Sequence, residues 1–159
     1  MNTTLSQEQI EFYQTNGFIV IDDFLSPAEL EQWREAVDEA VRGRGKRRMP
    51  DKEWQVDEDS YFKNGFFQRV NLWGGNPGMG GNMVDGRLGK LTATLAGVDG
   101  VRIWHDQALI KQPWANPTGW HLDNPYWSWH SPNAISLWVA LDDVTLQNGC
   151  LYFLPGTHK

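Results

Sequence analysis

The sequence has a single cysteine, Cys150, so no internal disulfide can form, and a reducing, cytoplasmic compartment is the expectation. It has no apolar run of membrane-spanning length. Its opening, Met1-Asn2-Thr3-Thr4-Leu5-Ser6, lacks the basic patch and apolar stretch of a secretory signal. Positive charge is scarce. Fourteen Lys and Arg against 20 Asp and Glu leave a net charge of -6, which argues against nucleic acid or an anionic membrane as the main partner. The glycine-rich residues 74–81 are not followed by the Gly-Lys-Ser/Thr of a phosphate-binding loop, and are expected to be an ordinary loop. Internal repeats and low-complexity tracts are missing.

What is present suits one soluble globular domain spanning 1–159 and acting on a small-molecule substrate. Nine tryptophans are more than a core of this size needs, and large rings also suit the wall of an apolar pocket. Ser6 with Gln9 forms a capping box that opens a short helix through Ile10, Phe12 and Tyr13, ending at Asn16-Gly17. Ser26-Pro27-Ala28-Glu29 opens a second, with Leu30, Trp33, Val37 and Val41 as its apolar stripe. Leu88, Leu91 and Leu95 mark a third, ending at Gly97. Phe18-Ile19-Val20-Ile21 reads as a buried strand, and residues 67–72 as a strand with one polar face. The basic segment 42–48 reads as a solvated loop, with an anion contact as the alternative. From Val101 onward, 101–105, 108–111, the stretch around His121, 135–141 and 150–154 all read as short strands. Gln147-Asn148-Gly149 reads as a turn. Helices first and strands last predict an α+β fold with a β-sandwich or barrel core.

The chemistry gathers at Gly119-Trp120-His121-Leu122-Asp123-Asn124-Pro125. On a strand, side chains two apart share a face, so His121 and Asp123 point the same way. An imidazole beside a carboxylate supplies two of the three ligands of a facial Fe(II) triad, although the spacing alone is a weak signal. Of the other histidines, His105 reads as structural and His130 as surface.

Three linked segments resemble the phytanoyl-CoA dioxygenase family of Fe(II)- and 2-oxoglutarate-dependent oxygenases. They are the opening from Phe12 to Leu25 with its capped helix, the stretch Trp120-His121-Leu122-Asp123-Asn124-Pro125-Tyr126-Trp127, and the run from Leu137 through Asn148-Gly149-Cys150-Leu151 to Pro155-Gly156-Thr157-His158-Lys159. The resemblance implies a double-stranded β-helix (jelly-roll, cupin-like) core from 101 to 159, with the helical front 1–100 packed outside. It implies His121 and Asp123 as Fe(II) ligands. Trp138, Gln107, Lys111 and, more weakly, Arg69 are its candidates for the 2-oxoglutarate pocket, although Trp138 reads equally as core and Lys111 as a strand-edge residue. The reaction implied is hydroxylation of a small organic substrate, with 2-oxoglutarate and O₂ converted to succinate and CO₂. Related halogenases carry a small residue at the position of Asp123, so its carboxylate favours hydroxylation. His158 is no iron ligand in the family. A second iron histidine and an arginine for the far carboxylate of 2-oxoglutarate lie, in the family, beyond the Pro-Gly-Thr-His-Lys turn. The expectation is therefore a domain incomplete at its C-terminus, with open sheet edges that invite self-association. The alternative is a non-catalytic ligand-binding module or interaction subunit of the same fold.

Overall fold

The computed structural model describes residues 1–44 and 67–159. The rings at Trp54, Tyr61, Phe62 and Phe66, and most of the basic segment, lie outside the described residues. Helix α1 (Gln7–Asn16) begins at the Ser6 capping box and ends at Gly17, whose φ of 85° is left-handed. Helix α2 (Pro27–Arg44) opens on a second reciprocal pair: the Glu29 N–H donates to Ser26 Oγ and the Ser26 N–H donates to Glu29 Oε2. It carries the first part of the expected loop, continuing to Arg44. The apolar stripe is there, deepened by alanine. Trp33, Ala36 and Ala40 are buried, and Val37 and Val41 pack against the same cluster.

Strand β1 (Phe67–Val70) pairs antiparallel with β2 (Gln107–Ile110), Arg69 opposite Ala108 and Val70 opposite Gln107. Ala108 turns inward to meet Ala36, Ala40, Leu72 and Met79, so the ribbon lies on α2 through side chains small enough for close approach. The exit from β1 is pinned by Asp106. Its carbonyl accepts from the Asn71 N–H at 2.9 Å and its Oδ1 from the Trp73 N–H at 3.3 Å.

The glycine-rich residues 74–81, expected as loop, contain a helix. Helix α3 (Pro77–Met83) starts with Asn76 accepting from the Met79 N–H and Pro at the first turn. The Asn-Pro pair is thus a helix start, not a break. Its glycine serves packing. A Cβ on Gly78 would stand 3.0 Å from the Ala36 Cβ, so a larger residue would push α3 off α2. Helix α4 (Gly86–Ala96) buries Leu88, Leu91, Thr92 and Leu95, packs near α1, and ends at Gly97 with φ 67°. Arg87 ties its start to α2, bonding Glu29 and Asp85 at 2.8 Å each.

Most expected strands do not form. Among the described residues β1 and β2 make the one sheet, and residues 18–21, 101–105, 118–123, 135–141 and 150–154 carry no ladder. β-Branched and aromatic composition sets a preference, but a strand exists only where another backbone accepts its hydrogen bonds. Phe18 instead stacks on Phe153 (centroids 4.9 Å apart) and meets Phe12 edge-on, while Val20 is exposed. The 147–149 turn is present, with Gly149 at φ 99°. Two long-range ties hold this C-terminal half to the helices. Arg34 on α2 donates to the Leu141 carbonyl at 2.6 Å. The 154–158 turn docks on the end of α1, the Gly156 N–H donating to the Asn16 carbonyl at 2.9 Å and His158 Nε2 to the Gln14 carbonyl at 3.2 Å.

Gly17 and Gly97 share a left-handed backbone but not a neighbourhood. A Cβ on Gly17 would run into the His158 imidazole, whereas nothing lies within 4 Å of one on Gly97. Gly97→Ala is expected to cost about 1 kcal/mol of backbone strain. Gly17→Ala should cost that plus the loss of the 154–158 docking, about 2 kcal/mol or more. Urea unfolding of the two variants separates these outcomes, and equal midpoints would show that His158 contributes nothing. The Glu29 carboxyl is held down at about 2, foremost by the N-terminal ammonium, then by Ser26 and Arg87. A folded-state pKa below the unfolded value means that its stabilisation is complete above about pH 4.5 and lost as pH falls towards 2. Urea midpoints measured across that range should decline in the native protein and decline less in Glu29→Gln, with high salt flattening the difference.

Candidate metal centre

His121 and Asp123 do not lie on a strand, yet they converge. The chain turns at Asp123 (φ -71°, ψ -38°) into a single 3-10 turn, Asn124–Tyr126, with Pro125 inside it. The Asp123 carbonyl accepts from the Tyr126 N–H at 2.9 Å, while its carboxylate makes no cap. That side chain is therefore available, and Oδ1 faces His121 Nε2 at 3.4 Å. The strand expectation was wrong in backbone, and the two side chains nonetheless approach to 3.4 Å.

The imidazole has a determined orientation. His121 Nδ1 lies 2.8 Å from the Gly119 carbonyl oxygen, which can only accept, so Nδ1 carries the proton. In the neutral ring Nε2 then holds the lone pair, and it is Nε2 that faces Asp123. A ring N–H spent on a backbone carbonyl with the other nitrogen turned to a carboxylate is the usual preparation of a metal-binding histidine. Two donors each about 2.1 Å from one ion stand about 3 Å apart at a right angle and at most about 4.2 Å apart, so 3.4 Å fits a shared ion. One neutral nitrogen and one anionic oxygen, both about half exposed, suit a divalent first-row metal and leave it reachable. Among the described residues no group of three or more His, Cys, Asp or Glu gathers around one point.

A residue not foreseen completes the pair's surroundings. Ser136 Oγ donates to Asp123 Oδ2 at 3.2 Å, bringing the 135–141 segment beside the carboxylate. The signal was legible: Ser136 is the lone hydroxyl in the apolar run Ile135-Ser136-Leu137-Trp138-Val139-Ala140-Leu141. Trp138 follows two residues later and is 45% exposed, so it is not core.

The other candidates are distributed over the ribbon. Gln107 stands on the outer face of β2, its Oε1 accepting from Gln68 Nε2 at 2.5 Å and its Nε2 lying 2.8 Å from His105 Nε2. Arg69 pairs with Ala108 and so belongs to the opposite face of the ribbon from Gln107; its Nη1 donates to the Gln68 carbonyl at 3.1 Å. Lys111 lays its stem across the 147–149 turn, where a Cβ on Gly149 would be 2.9 Å from the Lys111 Cδ. Beyond His121 and Asp123, Trp127 and Trp129 stack at 5.0 Å, and Trp104 meets Trp129 edge-on at 5.8 Å. These rings form an aromatic patch starting four residues after Asp123. His158 is engaged at α1, remote in role from the pair.

Comparison with known proteins identifies a family. The family described as phytanoyl-CoA dioxygenase (PhyH) matches residues 13–159. Dioxygenase lolE1 of Epichloe uncinata is 31% identical over 166 residues, covering 98% of this chain and 60% of that protein. Phytanoyl-CoA dioxygenase 1 of Oryza sativa subsp. japonica is 26% identical over 187 residues, covering 98% of this chain and 66% of that protein. The chain thus spans about two thirds or less of the length of these curated relatives. Among solved structures, the non-haem α-ketoglutarate-dependent carbocyclase SnoK from nogalamycin biosynthesis superposes with a TM-score of 0.73 at 26% identity, covering 97% of this chain and 57% of that one.

The hydrogen bond from His121 Nδ1 sets a tautomer that solution measurement can check. Long-range ¹H–¹⁵N correlation spectra of the neutral ring are expected to show His121 protonated at Nδ1, the minority form of free imidazole side chains. A proton on Nε2 would mean that the nitrogen facing Asp123 is not available to a metal.

Proposed function

The chain belongs to the phytanoyl-CoA dioxygenase family, and from that membership we propose that it holds Fe(II) through His121 and Asp123 and serves hydroxylation of a small organic substrate at the expense of 2-oxoglutarate and O₂. The observation that carries the reading is the 3.4 Å approach of His121 Nε2 to Asp123 Oδ1, with Nδ1 already committed to Gly119. His121 and Asp123 would hold the iron, which when bound would supply the redox chemistry coupling oxidation of 2-oxoglutarate by O₂, to succinate and CO₂, with hydroxylation of the substrate.

The roles of the chain's own residues follow from their chemistry. His121 gives a neutral lone pair and Asp123 a negative charge, so the pair leaves a divalent ion with net positive charge for an incoming dianion. Lys111 brings positive charge and Gln107 an amide to the carboxylates of 2-oxoglutarate, and Trp138 adds an apolar wall that keeps water from it. Arg69 is the lesser contributor, being on the other face of the ribbon from Gln107. The stacked Trp127 and Trp129 favour a largely apolar substrate surface. In this reading 1–159 is one domain, its helices outside a double-stranded β-helix to which the segments from 101 onward contribute. The TM-score of 0.73 to an enzyme of the same cosubstrate class supports that architecture.

A second reading, a ligand-binding module of the same fold without turnover, draws on the two-donor count among the described residues. One experiment separates the two. Anaerobic titration with Fe(II) and 2-oxoglutarate is expected to raise the visible charge-transfer band of the chelate in the native chain. Asp123→Ala should abolish both that band and succinate formation. A native chain with no band, binding ligands equally well with and without chelator, would establish the binding module instead.

A further inference from the structure

The Asp123 carboxylate has two oxygens with different neighbours. Oδ1 faces His121 Nε2 at 3.4 Å, and Oδ2 accepts the Ser136 hydroxyl at 3.2 Å. The carboxylate is not anchored by its own backbone, since it makes no cap to the 3-10 turn that begins beside it. With Asp123 about half exposed, the hydrogen bond from Ser136 and the approach of His121 are the contacts that bear on its terminal torsion. Ser136 reaches it from 13 residues away, on a segment whose far end is fastened to α2 by the bond from Arg34 to the Leu141 carbonyl.

From this we propose that Ser136 is a positioning residue of the metal centre: its hydroxyl occupies Oδ2, so that Oδ1 alone is presented beside the imidazole. The inference rests on the iron-site reading of His121 and Asp123. Its physical content is twofold. A bond to Oδ2 removes the conformers in which the carboxylate swings out to solvent, an entropic cost that metal binding would otherwise bear. It also biases the carboxylate towards binding through Oδ1, because Oδ2 already accepts a hydrogen bond. The same bond couples the pair to Trp138, two residues on, so the metal ligands and the proposed apolar wall keep a common frame.

The test uses Co(II) alone as the probe, titrated anaerobically into the full chain and followed by its visible d–d bands. Ser136→Ala, Ser136→Thr and Asp123→Ala are compared with the native protein. Partners that orient a metal ligand are typically worth 10- to 100-fold in affinity, and an exposed, single bond belongs at the lower end. Ser136→Ala is therefore expected to weaken Co(II) binding about 10-fold and change the band envelope. Ser136→Thr, which keeps the hydroxyl, should bind within about 3-fold of native, both at unchanged melting temperature. Loss of binding in Asp123→Ala with native affinity in Ser136→Ala would overturn the inference and leave the iron site standing. Unchanged binding in Asp123→Ala would remove the site and the inference together. A fall in melting temperature matching the fall in affinity, without rescue by threonine, would assign Ser136 to folding alone.

Discussion

The structure depends on how closely helix α2 can be approached. Its buried face is Trp33, Ala36 and Ala40, and two of those three are the smallest side chains with a Cβ. On one flank Gly78 brings α3 to within a methyl's reach of Ala36; beside it Ala108 seats the β-ribbon on the same cluster. Any enlargement at these positions opens a gap that neighbouring side chains cannot fill, because interiors are packed near the density of organic crystals. From the flank of the same helix the half-buried Arg34 reaches the Leu141 carbonyl. One helix thus holds the ribbon that bears Gln107 and the segment that bears Ser136.

The candidate site shows how two half-exposed side chains acquire a defined geometry without a rigid sheet beneath them. His121 is oriented by a carbonyl two residues back, a bond that depends only on local chain direction. Asp123 is oriented by a hydroxyl that arrives from a distant segment. The first survives wherever the local turn forms. The second exists only if residues 135–141 are held against 119–126. The geometry of this pair is half local and half tertiary.

That division also governs what was readable beforehand. Helix starts at Ser6 and Ser26, and stops at Gly17 and Gly97, follow from unpaired backbone groups that a neighbouring side chain or a glycine resolves within one turn. The closeness of His121 and Asp123 was legible for the same reason, and the family resemblance carried by the three linked segments agrees with the match over residues 13–159. Helix α3 was missed because its glycines were read as breakers, when Gly78 is a contact with α2. The strands of 18–21, 135–141 and 150–154 were overcalled because composition reports a preference for extended backbone and is silent on whether a partner lies alongside. Phe18 illustrates the alternative, finding Phe153 by ring stacking where no ladder is available.

By itself, then, the sequence determined the helix starts at Ser6 and Ser26 and the stops at Gly17 and Gly97, the closeness in the chain of His121 and Asp123, and the family, since each rests on residues a few positions apart or on linked motifs. Tertiary structure alone decided which extended runs gained a ladder, that a glycine-rich stretch would be helical against Ala36, and that Ser136 would meet Asp123. Those outcomes depend on groups distant in the chain arriving within hydrogen-bond or van der Waals reach, and no local pattern encodes that arrival.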